Sequence, residues 1–438
     1  MAPPEEGLPV TDRPTVLIRG GDVIDPSGRR TADVLVGADG RIAALGTDPG
    51  SADLVLDAGG CVVSSGLVDL HTHLREPGRE EAETIETGSR CAALGGFTAV
   101  VAMPNTTPPI DSAAVVREVL ELGRAAPCDV FTTGAITVGR SGDALAPMGE
   151  MAALGVRMFT DDGSGVQDPR LMRRALEYAG GLGVTLAQHC EVEALAEGGH
   201  MNEGEVSSRL GVPGVPPEAE ELMVMRDIAL ARLTGTPVHF QHLSTAGSVE
   251  MVRAAKAAGL AVTAEACPHH FTLTDECCAT YDPIFKVNPP LRTAADVAAV
   301  KVGLADGSID AIATDHAPHP QEAKEQPFDQ APPGMLGLET ALALALTELD
   351  LPLERVLELM SWNPARIAGV GDTHGGAVEA GRAANLAVID PTATWTVERD
   401  RTASRSRNNP YVGRVLTGRV RHTLLWGEPV VVDAEAQR

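Results

Sequence analysis

VDLHTHLREPG, Val68 to Gly78, sets two histidines either side of one threonine at the end of an apolar run. Residues two apart on a β-strand point to one face. The stretch therefore predicts that Asp69, His71 and His73 project together, with Leu70, Thr72 and Leu74 on the other side. Two imidazoles side by side are a natural chelate for a transition metal. A bare H-x-H also fits a polar strand end, so the remainder of the chain has to decide.

Working outward, the same pattern recurs. Apolar runs alternate with helical stretches from about Gly66 to Val370. The runs are GLVDLH, FTAVVAMPN, DVFTTGAIT, GVRMFTDD, TLAQHC, VHFQHLS, AVTAEACPHH and DAIATDHAPH; between them lie AAVVREVLELG, RLMRRALEYAG, EELMVMRDIALARL and VEMVRAAKAAG. Strand–helix alternation of this length predicts a parallel sheet. Eight units over residues 66–370 suit a (β/α)8 TIM barrel, typically about 250 residues before insertions. An open doubly wound sheet is the alternative, but no G-x-G-x-x-G follows the first strand. Nearly every run ends in a chemically capable residue: His71 and His73, Asn105, Asp162, His189, His242, His269 and His270, Asp315. A barrel gathers its site from the C-terminal ends of several strands.

Both ends of the chain read differently. Residues 15–65 and 371–438 are short strand-like runs punctuated by Gly, Asp and Pro. They predict one small β-sandwich domain built from both termini, behind a disordered tail over residues 1–14. The net charge of −25 over 438 residues, with no basic stretch, argues against a nucleic-acid partner. No apolar run approaches the roughly 20 residues of a membrane span, and MAPPEEGLPV does not read as a signal peptide. The seven cysteines are odd in number and form no C-x-x-C, so reduced thiols in a cytoplasmic protein are expected. Cys267 beside His269 and His270 lacks a second cysteine pair, so no zinc knuckle is expected there.

His71, His73, Asp162, His189, His242 and Asp315 offer four imidazoles and two carboxylates. That exceeds the three protein ligands of a single catalytic zinc and suits two metals about 3.5–4 Å apart. With DLHTHLREPG, ATDHAPHPQEAK (Ala313–Lys324), AMPNTTP, FTDDG, QHC, FQHLS, KVNPPLR and SRSRNNPYVGRVLTGRV in order, the chain resembles the amidohydrolase superfamily almost end to end. Within it, the resemblance is to the bacterial type I dihydroorotases. Many superfamily members bridge their metals with a carbamylated lysine, yet the first lysine here is Lys256, beyond the third histidine. A carboxylate must substitute, and FTDDG offers Asp161 and Asp162; the resemblance assigns the bridge to Asp162. It places His71, His73 and Asp315 on one divalent metal, His189 and His242 on the other, with zinc as the expected ion. The implied reaction is the interconversion of N-carbamoyl-L-aspartate with (S)-dihydroorotate and water in pyrimidine (UMP) biosynthesis. A metal-bridged hydroxide would attack the amide, with Asp315 as proton shuttle.

The substrate that the resemblance implies carries a carboxylate, and the protein is acidic, so a local cation is expected. Arg75, just past the chelate, can hold it bidentately, unless it pairs with Glu76 or Glu80 instead. The resemblance adds Asn105 and His319 to that pocket, and Asn288 with the Pro333–Gly334 backbone around the ring. Two positions depart from the family pattern: Pro333 stands where a phenylalanine is usual, and Asn385 where an acidic residue is usual. The polar segment His319–Met335 reads as a lid, weakly ordered until substrate binds. Two other readings stand beside dihydroorotase. One is another cyclic amidohydrolase, allantoinase-like or hydantoinase-like, which usually needs the absent lysine. The other is a non-catalytic partner of aspartate transcarbamoylase, against which all six ligand positions are filled. A homodimer, and association of an active chain with that transcarbamoylase, are left open.

Overall fold

Eight parallel strands close on one another in the computed structural model, which describes residues 13–438. We label them β1 (Leu67–Thr72), β2 (Phe97–Ala102), β3 (Asp129–Thr132), β4 (Met158–Phe159), β5 (Thr185–Gln188), β6 (Val238–Phe240), β7 (Val262–Ala266) and β8 (Ala311–Ile312). Ladders join β1 to β2 to β3 and run from β4 to β8 in chain order. Two parallel bridges complete the circle, Gly134 with Phe159 and Thr72 with His316; His73 N also donates to His316 O at 2.9 Å. Every residue of β1 and β2 is buried, as expected for barrel strands covered on both faces.

Surrounding helices start and stop at sequence-readable signals. Thr84 and Thr87 form a capping box at Ile85–Leu94, and Thr293 with Asp296 does so at Ala294–Asp306. Pro169–Leu182 begins on Asp168 with proline in its first turn and ends at Gly183, whose φ of 67° suits glycine. One strand is shorter than the sequence suggests. The run ending in FTDD leaves the ladder after Phe159, because Thr160 N turns to Gly134 O and the Asp161 carboxylate captures Ile136 N and Thr137 N.

The terminal strands form two sheets. One has four strands, all N-terminal, ordered Ile42–Gly46, Asp33–Val36, Val16–Arg19, Leu54–Asp57. The other has seven and mixes the termini: Val62–Ser65 pairs antiparallel with Leu386–Thr396, matching Leu386 to Ser65 and Val388 to Val63. Val16, Ile18, Val23, Val34, Val63, Leu386, Val388 and Leu424 pack together in their core. Asn385 stands at the junction with the barrel. Its side chain accepts from Trp426 N at 2.6 Å and donates to Thr373 O at 3.1 Å, and its carbonyl accepts from Gly66 N. Of the tail expected over residues 1–14, positions 1–12 lie outside the described residues. No helix among the described residues is long and apolar enough to cross a membrane.

Candidate metal centre and active site

The ends of β1, β4, β5, β6 and β8 bring His71, His73, Asp162, His189, His242 and Asp315 to one buried spot at the barrel mouth. Asp162 is at its middle. One carboxylate oxygen, Oδ1, lies 3.3 Å from His71 Nε2, 3.6 Å from His189 Nδ1 and 3.5 Å from His242 Nε2; the other lies 3.5 Å from His73 Nε2. Asp315 Oδ1 is 3.0 Å from His73 Nε2 and 3.7 Å from His71 Nε2. Asp161 faces away: its oxygens take the backbone N–H of Ile136 and Thr137 and the Thr137 hydroxyl. Arg140 grips the Asp162 carbonyl from outside. Asp69 does not join the histidines. Its carboxylate accepts from Thr314 N at 2.8 Å and from the Thr72 and Thr314 hydroxyls at 2.6 and 2.5 Å, stapling β1 to the end of β8.

Partners on the far side of the rings fix their tautomers. His71 Nδ1–H donates to Glu265 Oε1 at 2.8 Å, and the other Glu265 oxygen takes His239 Nε2–H at 2.9 Å. Burial alone would raise the Glu265 carboxyl, but the hydrogen bonds from His239 and His71 hold it at about 2. His73 Nδ1–H donates to Asn105 Oδ1 at 2.9 Å. Both rings therefore turn a bare Nε2 lone pair toward carboxylate oxygens. Acceptors facing acceptors at 3.0–3.7 Å repel unless a cation lies between them. His71 Nε2, Asp162 Oδ1 and His242 Nδ1 have no hydrogen-bond partner although buried. Tetrahedral bonds of about 2.1 Å place ligand atoms about 3.4 Å apart, which is the observed spacing. The electrostatics agree. Burial would lower the His71 pKa, yet Asp162 and Glu265 drive it well above the ordinary value, so their negative charge draws a cation, a proton or a metal ion, to His71 Nε2. The residues fit divalent metal: His71, His73 and Asp162 form one grouping whose ligand atoms lie within 4.8 Å of one another, and Asp162, His189 and His242 form a second.

Backbone geometry supports a built site. His242, Asp315 and Arg75 adopt φ values of 32°, 46° and 65°. Left-handed backbone at non-glycine residues costs about 1–3 kcal/mol each and gathers at functional sites.

Arg75 sits beside this cluster, 6% exposed. Its Nε donates to Pro318 O at 3.1 Å, and no carboxylate among the described residues pairs with it. Glu76 and Glu80 are engaged instead by Ile85 N and Gly78 N. Burial, then the charge of Arg79, lower the guanidinium to about 10, leaving it charged at neutral pH. Asn105 spends its oxygen on His73. Asn288 Nδ2 lies 3.3 Å from His189 Nε2. His319 Nε2–H donates to Pro333 O at 2.8 Å, Gly334 N donates to Lys286 O at 2.9 Å, and Asn408 Nδ2 donates to Gly334 O at 3.1 Å. His319 and the Pro333–Gly334 backbone are thus already bonded within the chain.

Residues 60–248 match the family described as Dihydro-orotase-like. A dihydroorotase of Pelotomaculum thermopropionicum is 50% identical over 426 residues, covering 95% of this chain and 99% of that protein. One of Streptomyces coelicolor is 50% identical over 428 residues, covering 96% and 99%. The chain belongs to the dihydroorotase family.

As a dihydroorotase-family chain it is a cyclic amidohydrolase enzyme. Its fold superimposes on an L-hydantoinase (dihydropyrimidinase) from Arthrobacter aurescens with a TM-score of 0.87 at 26% identity, covering 97% of each chain. A dihydropyrimidinase from Brevibacillus agri shares the fold at a TM-score of 0.83 and 24% identity, over 97% of this chain and 96% of that one.

Several residues that build this site were not visible in the sequence reading. Glu265 lies in AVTAEACPHH and His239 in VHFQHLS, two runs whose pattern gives neither residue a role. Glu83 accepts from the Ser404 hydroxyl and faces His316 Nε2 at 3.4 Å, bringing the C-terminal SRSRNN stretch to the barrel mouth. Asn408 from that stretch accepts from His319 N at 3.2 Å and donates to Ala317 O at 2.9 Å. The motif SRSRNNPYVGRVLTGRV carries the signal for this contact, although by itself it specifies no role. The ligand atoms of Cys267, His269 and His270 do approach within 4.8 Å of one another, though His270 Nε2–H is used by Pro289 O. The segment His319–Met335 also differs from a loose lid. It carries the short helix Gln321–Lys324, and Lys286 Nζ pins Phe328 O and Asp329 O at 2.8 and 3.1 Å.

Proposed function

We propose that residues 66–370 form the catalytic unit and interconvert N-carbamoyl-L-aspartate with (S)-dihydroorotate and water, a step of pyrimidine (UMP) biosynthesis. The observation that carries this is the buried cluster of four imidazoles and Asp315 around the Asp162 carboxylate, in which His71 Nε2 and Asp162 Oδ1 have no hydrogen-bond partner, next to a buried arginine with no carboxylate of its own. His71, His73 and Asp315 would hold one divalent ion and His189 with His242 a second, Asp162 bridging, and zinc is the ion this mixed imidazole–carboxylate set suits. When bound, the metals lower the pKa of water to give a nucleophile near neutral pH and place positive charge where the amide oxygen becomes an oxyanion.

The chain's own residues do the rest. Glu265 and Asn105 hold His71 and His73 with their Nε2 lone pairs inward. Asp315 sets Oδ1 beside His73 Nε2 as a ligand atom, and its Oδ2 is left to carry the proton from the attacking water to the departing ring nitrogen. The Arg75 fork binds the substrate carboxylate, with the Asn105 amide N–H beside it. His319, through its ring and the Pro333 carbonyl, and Asn288 with the Gly334 backbone frame the ring. The test compares dihydroorotate, hydantoin and allantoin as substrates, with metal content measured on the same preparation. Turnover of dihydroorotate alone, with two metals per chain, supports the reading; preference for hydantoin or allantoin, or a metal-free inert chain, replaces it. A homodimer, association with aspartate transcarbamoylase, and a cytoplasmic location go with this reading; sedimentation alone and with the transcarbamoylase tests the first two.

A further inference from the structure

We propose that Lys324 is a positioning residue for the substrate pocket, its ammonium tying together the main-chain segments 286–288 and 332–334. Lys324 ends the short helix Gln321–Lys324, and its Nζ donates to Lys286 O at 3.4 Å, Pro332 O at 3.0 Å and Gly334 O at 3.0 Å. Three donors meet three carbonyls from two segments far apart in sequence. The Gly334 N to Lys286 O hydrogen bond lies in the same junction. One segment carries Asn288, beside His189; the other is the Pro333–Gly334 backbone. Gly334 cannot be held by a side chain of its own. Its φ is 138°, and a Cβ there would meet His319 Nε2 at 2.8 Å and Ala317 Cβ at 2.9 Å. The segment must be placed by bonds to its backbone, and Lys324 supplies two of them.

A lysine largely buried with no carboxylate partner is costly. A methionine would fill the same space with no charge to desolvate, so the tie itself is what the ammonium contributes. The charged and titratable groups around it are few: Lys286 and Asp282, with His200 and Asp329 beside Lys286 and His319 on the pocket side. Burial, and then the charge of Lys286, bring the amine down to about 7. Loss of its proton removes one of three N–H donors and frees one carbonyl.

The inference rests on the reading above that Asn288 and the Pro333–Gly334 backbone frame the ring. It is tested on the full-length, metal-loaded protein with K324M and K324R. K324M should raise KM for dihydroorotate about tenfold or more, the scale of losing charge-assisted hydrogen bonds. Its kcat should change less than KM, with metal content unchanged. K324R, which keeps donors and charge, should restore most of the loss. Wild-type KM should climb relative to K324M as pH passes 7, where the third N–H is lost. Amide exchange at Gly334 and Met335 should quicken in K324M without substrate present, while β5 and β6 stay protected. KM within twofold of wild type, or loss of metal and kcat at unchanged KM, overturns the proposal. Unchanged exchange at Gly334 and Met335 removes the tie whatever the activity, whereas a wild type inert toward dihydroorotate overturns the functional reading instead. If K324M does not fold, K324Q is read by the same measurements and the same outcomes.

Discussion

The two walls of the barrel mouth differ in how their polar atoms are satisfied. On the wall made by β1 and β4 to β6, buried atoms of His71, Asp162 and His242 find no hydrogen-bond partner. On the wall made by residues 316–335, no buried side-chain polar atom lacks one among the described residues. His316 faces Glu83, His319 holds Pro333 O, and Lys324 holds three carbonyls. Burying a polar atom without a partner costs about 1–3 kcal/mol. His71 Nε2 and Asp162 Oδ1, 3.3 Å apart, mark where a ligand completes the structure; a fully bonded wall marks where the chain sets its own shape. The first wall should depend on metal and the second should not.

The sharpest way to break that contrast is Asp162→Ala. Removing the carboxylate whose two oxygens face four imidazoles should leave fewer than two metals per chain and cut turnover roughly a thousandfold, measured by metal analysis and kinetics. Full occupancy and activity would transfer the bridge to Asp161, despite its bonds to Ile136 and Thr137. Glu265→Gln is the next largest effect. It touches no proposed substrate atom yet should weaken metal affinity about ten- to a hundredfold, read by titration with a competing chelator. An unchanged affinity would mean that His71 is oriented by packing alone.

Arg75→Lys probes the boundary between the walls. It keeps the charge and loses the planar fork. Losing a contact worth about 1.5–3 kcal/mol should lower kcat/KM for dihydroorotate about ten- to a hundredfold with both metals retained. Preference over dihydrouracil, which lacks the carboxylate, should shrink. Equal slowing of both rings, or loss of metal, would put Arg75 on the metal side.

The smallest effect is a pH response of the second wall. Burial, then the charges of Arg75 and Lys324, hold His319 at about 3. The unfolded or opened segment binds a proton near 6.5, so the closed form loses stability as pH falls from about 6.5 toward 3. Exchange of the segment 319–335 should quicken over that window before the barrel strands respond. A segment that loosens together with the strands would show that it has no separate stability.

The contrast also explains what was legible beforehand. HTH, FTDDG, QHC, FQHLS and TDHAPH each place a candidate ligand at or just past a strand end, where a barrel gathers its site; a strand's period of two aims His71, whereas Asp162, His242 and Asp315 lie beyond their strands. The same rule failed for Asp69, two residues from His71, because the Thr72 and Thr314 hydroxyls capture its carboxylate. Glu265 was hidden because a carboxylate inside an apolar run has no local signature; its partners His71 and His239 lie 194 and 26 residues away.

By itself, then, the sequence determined the strand–helix alternation, the strand-rich character of both termini and the candidate ligands, since hydrophobic period and strand-end chemistry are local properties; closure of the barrel rests on bridges between distant residues. Tertiary structure alone set the Asp162 carboxylate among the histidines and the Asp161 carboxylate on Ile136 N and Thr137 N, turned the Nε2 atoms of His71 and His73 inward through Glu265 and Asn105, and stitched residues 316–335 to Asn408, Lys286 and Lys324. Those outcomes depend on which donors meet which acceptors across hundreds of residues. Hydrogen bonds act over about 3 Å, so only the folded chain could assign them.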